Sequence, residues 1–166
     1  MLQNKLQILC QKFISGGQTG VDRAVLDACL HFSFPCGGWC PKGRKAEDGV
    51  IPDKYPLTET AQTNYAFRTL KNILNSDGTL ILAPGTLSNG TLLTLLFAQK
   101  MKKPVRIIGP DTPPDCLSAW MMVNKMSTLN IAGPRQSEWP EAYQITYAFT
   151  SELIKFIKLS ASDILS

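Results

Sequence analysis

The sequence predicts an α/β fold: a mainly parallel sheet of about five strands with helices on both faces. Two strand–glycine turn–helix units predict it, together with short apolar strands that show no alternation. The first unit is KFISGGQTGVDRAVLDACL, Lys12 to Leu30, and the second runs from Thr79 to Met101. Strands that alternate with helices build parallel sheets through right-handed crossovers. An unbroken apolar run such as TLILA, Thr79 to Ala83, suits a strand covered on both faces.

A chain of 166 residues predicts one domain. At that size it buries a core without help from disulfides. With 44% hydrophobic and 18% charged residues it is globular in composition. The formal charge of +4 suits a small anionic ligand. It is too mild to argue for nucleic acid, and no Lys/Arg run with interleaved aromatics is present. The five cysteines, Cys10, Cys29, Cys36, Cys40 and Cys116, are odd in number and irregular in spacing, so they make no disulfide framework. Cys36 and Cys40 lack the second cysteine pair or histidines of a zinc site, so no metal ligands are expected. The single histidine, His31, falls near a helix end. No segment has the layout of a signal peptide, and no apolar run is long enough to span a membrane. The expected location is cytoplasmic.

In chain order, residues 1–11 read as a lead-in, and Phe13 and Ile14 as a strand end. Gly16, Gly17 and Gly20 frame the first turn. Glycine there permits unusual backbone angles or close approach to the main chain. Val21, Ala24, Val25, Ala28 and Cys29 then fall on one helical face. Ser15, Gln18 and Thr19 add hydrogen-bonding groups. The turn is either a tight strand-to-helix connection or a cradle for an anion at a helix N-terminus.

Residues 33–60 hold four prolines and four glycines with no sustained period. They predict a long ordered loop with at most a short strand near Cys36–Trp39. Its Lys42, Arg44, Lys45, Glu47 and Asp48 are either a solvated mixture of charges or a flap that carries cations to an anion at the first turn. Thr63–Asn75 predicts a helix with Arg68 off its apolar face. Arg68 there reaches either an oxyanion or an ordinary ion-pair partner.

The strand Thr79–Ala83 leads into a loop and a helix from about Leu92. Ser88, Asn89, Gly90 and Thr91 in that loop can cap the helix or bind a ligand with the same groups. Pro104–Gly109 predicts a buried strand, Leu117–Lys125 a helix with Trp120 and Met121 as core, and Leu129–Ala132 a last strand. Arg135, Gln136, Ser137 and Glu138 follow its C-terminal end. Tyr143–Leu159 predicts a long closing helix, apolar enough for part of it to face a second subunit. The tail SASDILS reads as frayed. The loops from Gly16, Pro84 and Gly133 all begin at strand C-termini. They are therefore expected to share one rim, where parallel sheets bind ligands.

Taken together, ISGGQTGVDRAVLDA, GGWCPKGRKAEDGVIPDKYPL, YAFRTLKNILNSDGTLIL, NGTLLT and LNIAGPR resemble the molybdenum carrier family. The resemblance runs from about Ile14 to Arg135, and GGWCPKGRKAEDG is its most specific segment. It implies a Rossmann-like three-layer sandwich, within a wider class of nucleotide-derivative binders that includes lysine-decarboxylase-like proteins. It also implies binding and protection of molybdenum cofactor (molybdopterin) and a homo-oligomer, a dimer or tetramer. Gly16, Gly17, Gln18, Thr19 and Gly20 match the family's first glycine motif. Trp39, Pro41, Lys42, Gly43, Arg44, Glu47 and Asp48 match its central loop. Asn89-Gly90-Thr91 stands where family members show GGT.

The expected ligand is a phosphate-bearing pterin or nucleotide-like anion. The groups expected to hold it are Gly16–Gly20, Lys42, Arg44, Arg68 and Ser88–Thr91. In such a cofactor the pterin's own sulfurs hold the metal, so the protein needs no metal ligands. Two other functions compete. A nucleoside monophosphate phosphoribohydrolase of the wider class resembles PGGxGTxxE at the second loop. Here Thr94 stands where that pattern has its catalytic glutamate, so no catalytic residue is assigned. A nucleotide-derivative sensor would need the same cradle as a carrier.

Overall fold

A computed structural model describes residues 10–162. Strand β1 (Lys12–Ile14) leads into helix α1 (Val21–His31) and then β2 (Cys36–Gly37). The central loop carries four further two-residue strands: β3 (Trp39–Cys40), β4 (Lys45–Ala46), β5 (Gly49–Val50) and β6 (Thr58–Glu59). Next come α2 (Tyr65–Leu74), β7 (Gly78–Leu82), α3 (Asn89–Lys100) and β8 (Val105–Ile108). A 3₁₀ turn at Pro114–Leu117 precedes α4 (Ser118–Val123), β9 (Thr128–Ala132) and α5 (Ala142–Ser162).

The main sheet has five strands in the order β2-β1-β9-β7-β8, and every pairing in it is parallel. The chain leaves β1 through α1 toward one edge and leaves β7 through α3 toward the other. Right-handed crossovers in opposite directions place α1 and α3 on opposite faces. The direction of winding therefore reverses over β9, which lies between β1 and β7. Loops diverge at such a reversal and leave a crevice beyond the strand C-termini.

The burial pattern follows from this order. All five residues of β7, GTLIL, are buried, as an inner strand covered on both faces requires. β8 differs from the buried strand expected there. It is the sheet edge, Ile107 is 46% exposed, and only Ile108 is buried. Helix α5 packs along α1, and Phe149, Leu153, Ile154 and Ile157 enter the main core. Part of its apolar surface is thus used within the chain, while Leu159 is 67% exposed and Ile145 and Phe156 are half-buried. The helix also continues through Ser160 to Ser162, so the start of the expected frayed tail is ordered. The rest of that tail and residues 1–9 lie outside the described residues.

The central loop is pinned rather than loose. Strand β3 pairs with β6, and β4 with β5 in a small hairpin that carries Glu47 and Asp48 at its tip. The buried Asn72 of α2 accepts from Trp39 N at 2.8 Å and donates to Trp39 O at 3.0 Å, clamping β3 to the helix. Ile51 and Tyr55 join Leu26 of α1 in a second apolar cluster.

Candidate functional site

The site forms where the loops after β1, β7 and β9 meet over the end of β9. A cleft of about 70 Å³ lies there. Arg68, Thr91, Arg135 and Glu138 line it, with Ala132 and Gly133 at its base. The expected common rim is therefore present.

Arg68 is the cation at the centre of this arrangement. Its Nη1 lies 3.1 Å from Asp22 Oδ2, and the two side chains are 14% and 4% exposed. Burial pushes the Asp22 carboxyl up, against the pull of Arg68 and of the Gln18 N–H, which donates to Asp22 Oδ2 at 3.2 Å. Arg68 Nε is buried and has no hydrogen-bond partner among the described residues. A Cβ on Gly16 would fall 1.7 Å from Arg68 Nη1, so glycine at 16 admits the guanidinium.

The other motif glycines also face the chain's own atoms. A Cβ on Gly17 would meet Leu57 Cδ1 at 2.5 Å. One on Gly20 would meet Gln136 N and Pro134 O, both at 2.7 Å. The first turns of α1 are largely tied internally: Val21 N donates to Pro134 O at 3.3 Å and Arg23 N to Gln18 O at 3.0 Å. In contrast, nothing lies within 4 Å of a Cβ on Gly90. Ser88, at the N-cap of α3, makes no side-chain cap. Its Oγ donates instead to Glu138 Oε2 at 2.9 Å. The open helix N-terminus on this rim is therefore that of α3.

A latch joins the first and third loops to the central loop. Thr19 Oγ1 donates to Glu47 Oε1, and Ser137 Oγ donates to Glu47 Oε2 at 2.6 Å. Glu47 N donates to Gln18 Oε1 at 2.9 Å, and Gln136 N to Thr19 Oγ1 at 3.2 Å. Beside it Arg23 Nη1 and Nη2 donate to Asp48 at 2.7 and 3.0 Å. Burial works to raise Glu47, but the Ser137 and Thr19 donors outweigh it and hold the carboxyl below its ordinary value. Hydrogen bonds from Arg23 do the same for Asp48.

The sign of the pH effect follows. A carboxyl whose pKa is lower in the fold stabilises above its unfolded value, and that contribution is lost as pH falls through the folded value. The double variant E47Q/D48N is expected to have a lower Tm than the parent at neutral pH. The gap should close on acidification through and below the ordinary carboxylate range, as measured by thermal melts across pH.

Other expected site residues lie elsewhere. Arg44, at φ 52°, turns its guanidinium into its own loop. It donates to Ile51 O, Pro52 O and Tyr55 O at 2.9, 2.9 and 3.0 Å, and to Leu57 O at 3.3 Å. Its donors are spent on shaping the loop. Lys42 is exposed and does not line the cleft. Arg68, Gly90 and Thr91 do line it, with Gln18 from the first motif, and Ser88 is tied to its Glu138.

The sequence presents Arg135 and Glu138 only as residues after the last strand. Their position at the C-terminal end of β9 was the available signal. Asp22 is an acid in the first turn of α1, and nothing in its spacing announces Arg68, which lies 46 residues away in sequence.

All five cysteines are free, and no group of three or more metal-ligand side chains occurs among the described residues. No helix among the described residues is long and apolar enough to cross a membrane.

The comparisons with known proteins agree with this architecture. No curated protein matches the chain. A crystal structure at 1.45 Å of a protein named "putative molybdenum carrier protein", from Syntrophus aciditrophicus SB, matches with a TM-score of 0.85 and 42% identity. The match covers 89% of this chain and 97% of that one. It bears out the family resemblance carried by the motifs and the Rossmann-like three-layer sandwich. The profile of the circularly permutated YpsA SLOG family matches residues 13–154, and the chain belongs to that molybdenum-carrier-like family.

Proposed function

We propose that the chain is a carrier that holds the anionic end of molybdenum cofactor, or of a closely similar phosphate-bearing pterin, in the cleft over β9. One observation carries this reading: Arg68, Arg135 and the open N-terminus of α3 converge on a cleft of about 70 Å³. A water molecule takes roughly 30 Å³ of liquid volume. The cleft has room for more than one water-sized group, and its two guanidinium groups suit the anionic end of such a ligand.

Guanidinium groups and helix N-termini both favour phosphate. The orphaned Arg68 Nε adds a donor without a partner in the same region. The cofactor's metal would be held by its own sulfurs. The carrier wording in the name of the 42% identical relative supports the same reading.

The test is reconstitution. Mixed with molybdenum cofactor under reducing conditions, the purified chain should retain molybdenum through gel filtration and slow the cofactor's oxidation. A protein that neither retains the metal nor protects the cofactor would sink the proposal.

A second reading rests on Glu138. It brings a carboxylate into the cleft from a different loop than the one where the hydrolase motif has its glutamate. If the chain is a nucleoside monophosphate hydrolase, incubation with such nucleotides should release free base, and E138Q should abolish that release.

A further inference from the structure

Carboxylates answer the cations of the rim: Asp22 and Glu138 line the cleft beside Arg68 and Arg135, and Glu47 approaches Arg135 from outside the lining. Arg68 and Arg135 face Asp22, Glu47 and Glu138. An anionic ligand binds more tightly if one carboxylate gives way, because like charges in a confined site oppose binding. The three are held very differently. Asp22 is 4% exposed and paired with Arg68, so moving it would strand a buried guanidinium. Glu47 is 21% exposed and ties the central loop to the first and third loops through Thr19 and Ser137.

Glu138 is 33% exposed and more weakly held. Beyond its 2.9 Å bond from Ser88 Oγ, its contacts are long: Arg135 N at 3.4 Å and Arg135 Nε at 3.6 Å. These partners are a hydroxyl at a helix N-cap, a backbone N–H and a guanidinium. They are the donor types that recognise an oxyanion.

We propose that Glu138 is a built-in stand-in for the ligand's anionic group, one that the ligand must displace from Ser88 and Arg135. This rests on the anion reading of the cleft and adds its regulation. Glu138 lowers the affinity for any singly docked oxyanion. The cleft then favours a ligand that brings enough further contacts to evict the carboxylate, and binds bare inorganic anions more weakly. The mechanism moves one side chain and leaves the latch at Glu47 in place.

The experiment is titration calorimetry with inorganic phosphate on the parent, E138Q and E141Q. Glu141 is exposed and does not line the cleft, so E141Q makes the same change in net charge away from it. The expected result is a gain of about tenfold in phosphate affinity for E138Q, with E141Q unchanged. Binding by E138Q alone, with none by the parent, would support the same conclusion. Thermal melts check that each variant is folded. Phosphate binding by the parent with no gain in E138Q, or an equal gain in E141Q, would overturn the stand-in role alone. No binding by any of the proteins would overturn the anion reading of the cleft, and this role with it.

Discussion

Arg68→Ala is expected to cost the fold about 3–5 kcal/mol, measured by denaturant unfolding at neutral pH. The substitution leaves Asp22 charged and 4% exposed, with the Gln18 N–H still donating to it. A loss of that size is a large part of the ~5–15 kcal/mol that separates a typical fold from its unfolded state. The deficit should shrink as pH falls. Burial already raises the Asp22 carboxyl, and without Arg68 it rises further, so the variant takes up a proton and the uncompensated charge disappears. Replacing both partners, as Asp22→Asn with Arg68→Met, should recover much of the loss, because neither charge then needs the other. An Arg68→Ala protein as stable as its parent would mean that the pair does not organise the site.

The second large effect is expected at Gly20. This residue has φ +76°, and a Cβ there would meet three backbone atoms at 2.7–2.8 Å: Gln136 N, Pro134 O and Arg135 C. Left-handed backbone costs an ordinary residue roughly 1–2 kcal/mol. Overpacking against atoms that cannot rotate away adds roughly 1–3 kcal/mol. Gly20→Ala should therefore destabilise by about 2–5 kcal/mol in equilibrium unfolding and push the loop bearing Arg135 and Glu138 off the start of α1. Gly90→Ala is the natural contrast. Its site is open and helical, and alanine is the better helix former, so the fold should be unharmed or slightly stabilised. If a ligand approaches the main chain at Gly90, that variant loses affinity while keeping its Tm.

These two glycines show what the sequence could and could not convey. The strand–glycine turn–helix order of both units was enough to predict a parallel sheet and a shared rim, because local pattern and crossover handedness leave few alternatives. The same pattern could not say what each glycine makes room for. At Gly16, Gly17 and Gly20 the neighbours are Arg68, Leu57 and the loop after β9, all brought in by tertiary packing. Arg44 is a similar case. Its charge and its place in a specific motif suggested a ligand contact, yet its positive φ and four carbonyl partners make it the post around which the central loop folds. Edge position is hidden for a related reason: PVRIIG reads as a buried strand, and the sheet order shows that, among the described residues, β8 has no neighbour on one side.

Asp22, Arg135 and Glu138 were legible only in part. Each lies within or next to a recognisable element, but their pairing spans long stretches of chain. A single sequence records hydrophobic period and turn chemistry; it does not record which distant side chains share a charge. The carboxylates that line and brace the rim are the consequence with most bearing on function. On the proposed reading they guard the cleft against weakly held anions.

The most direct test of the central claim is to locate an oxyanion on the protein. Crystals soaked in molybdate and measured at the molybdenum absorption edge should give an anomalous peak in the cleft over β9. The peak should lie within hydrogen-bond distance of the Arg135 guanidinium and the first turn of α3, and it should be stronger in E138Q. Molybdate peaks only at surface lysines, or an empty cleft in both proteins at saturating concentration, would contradict the account.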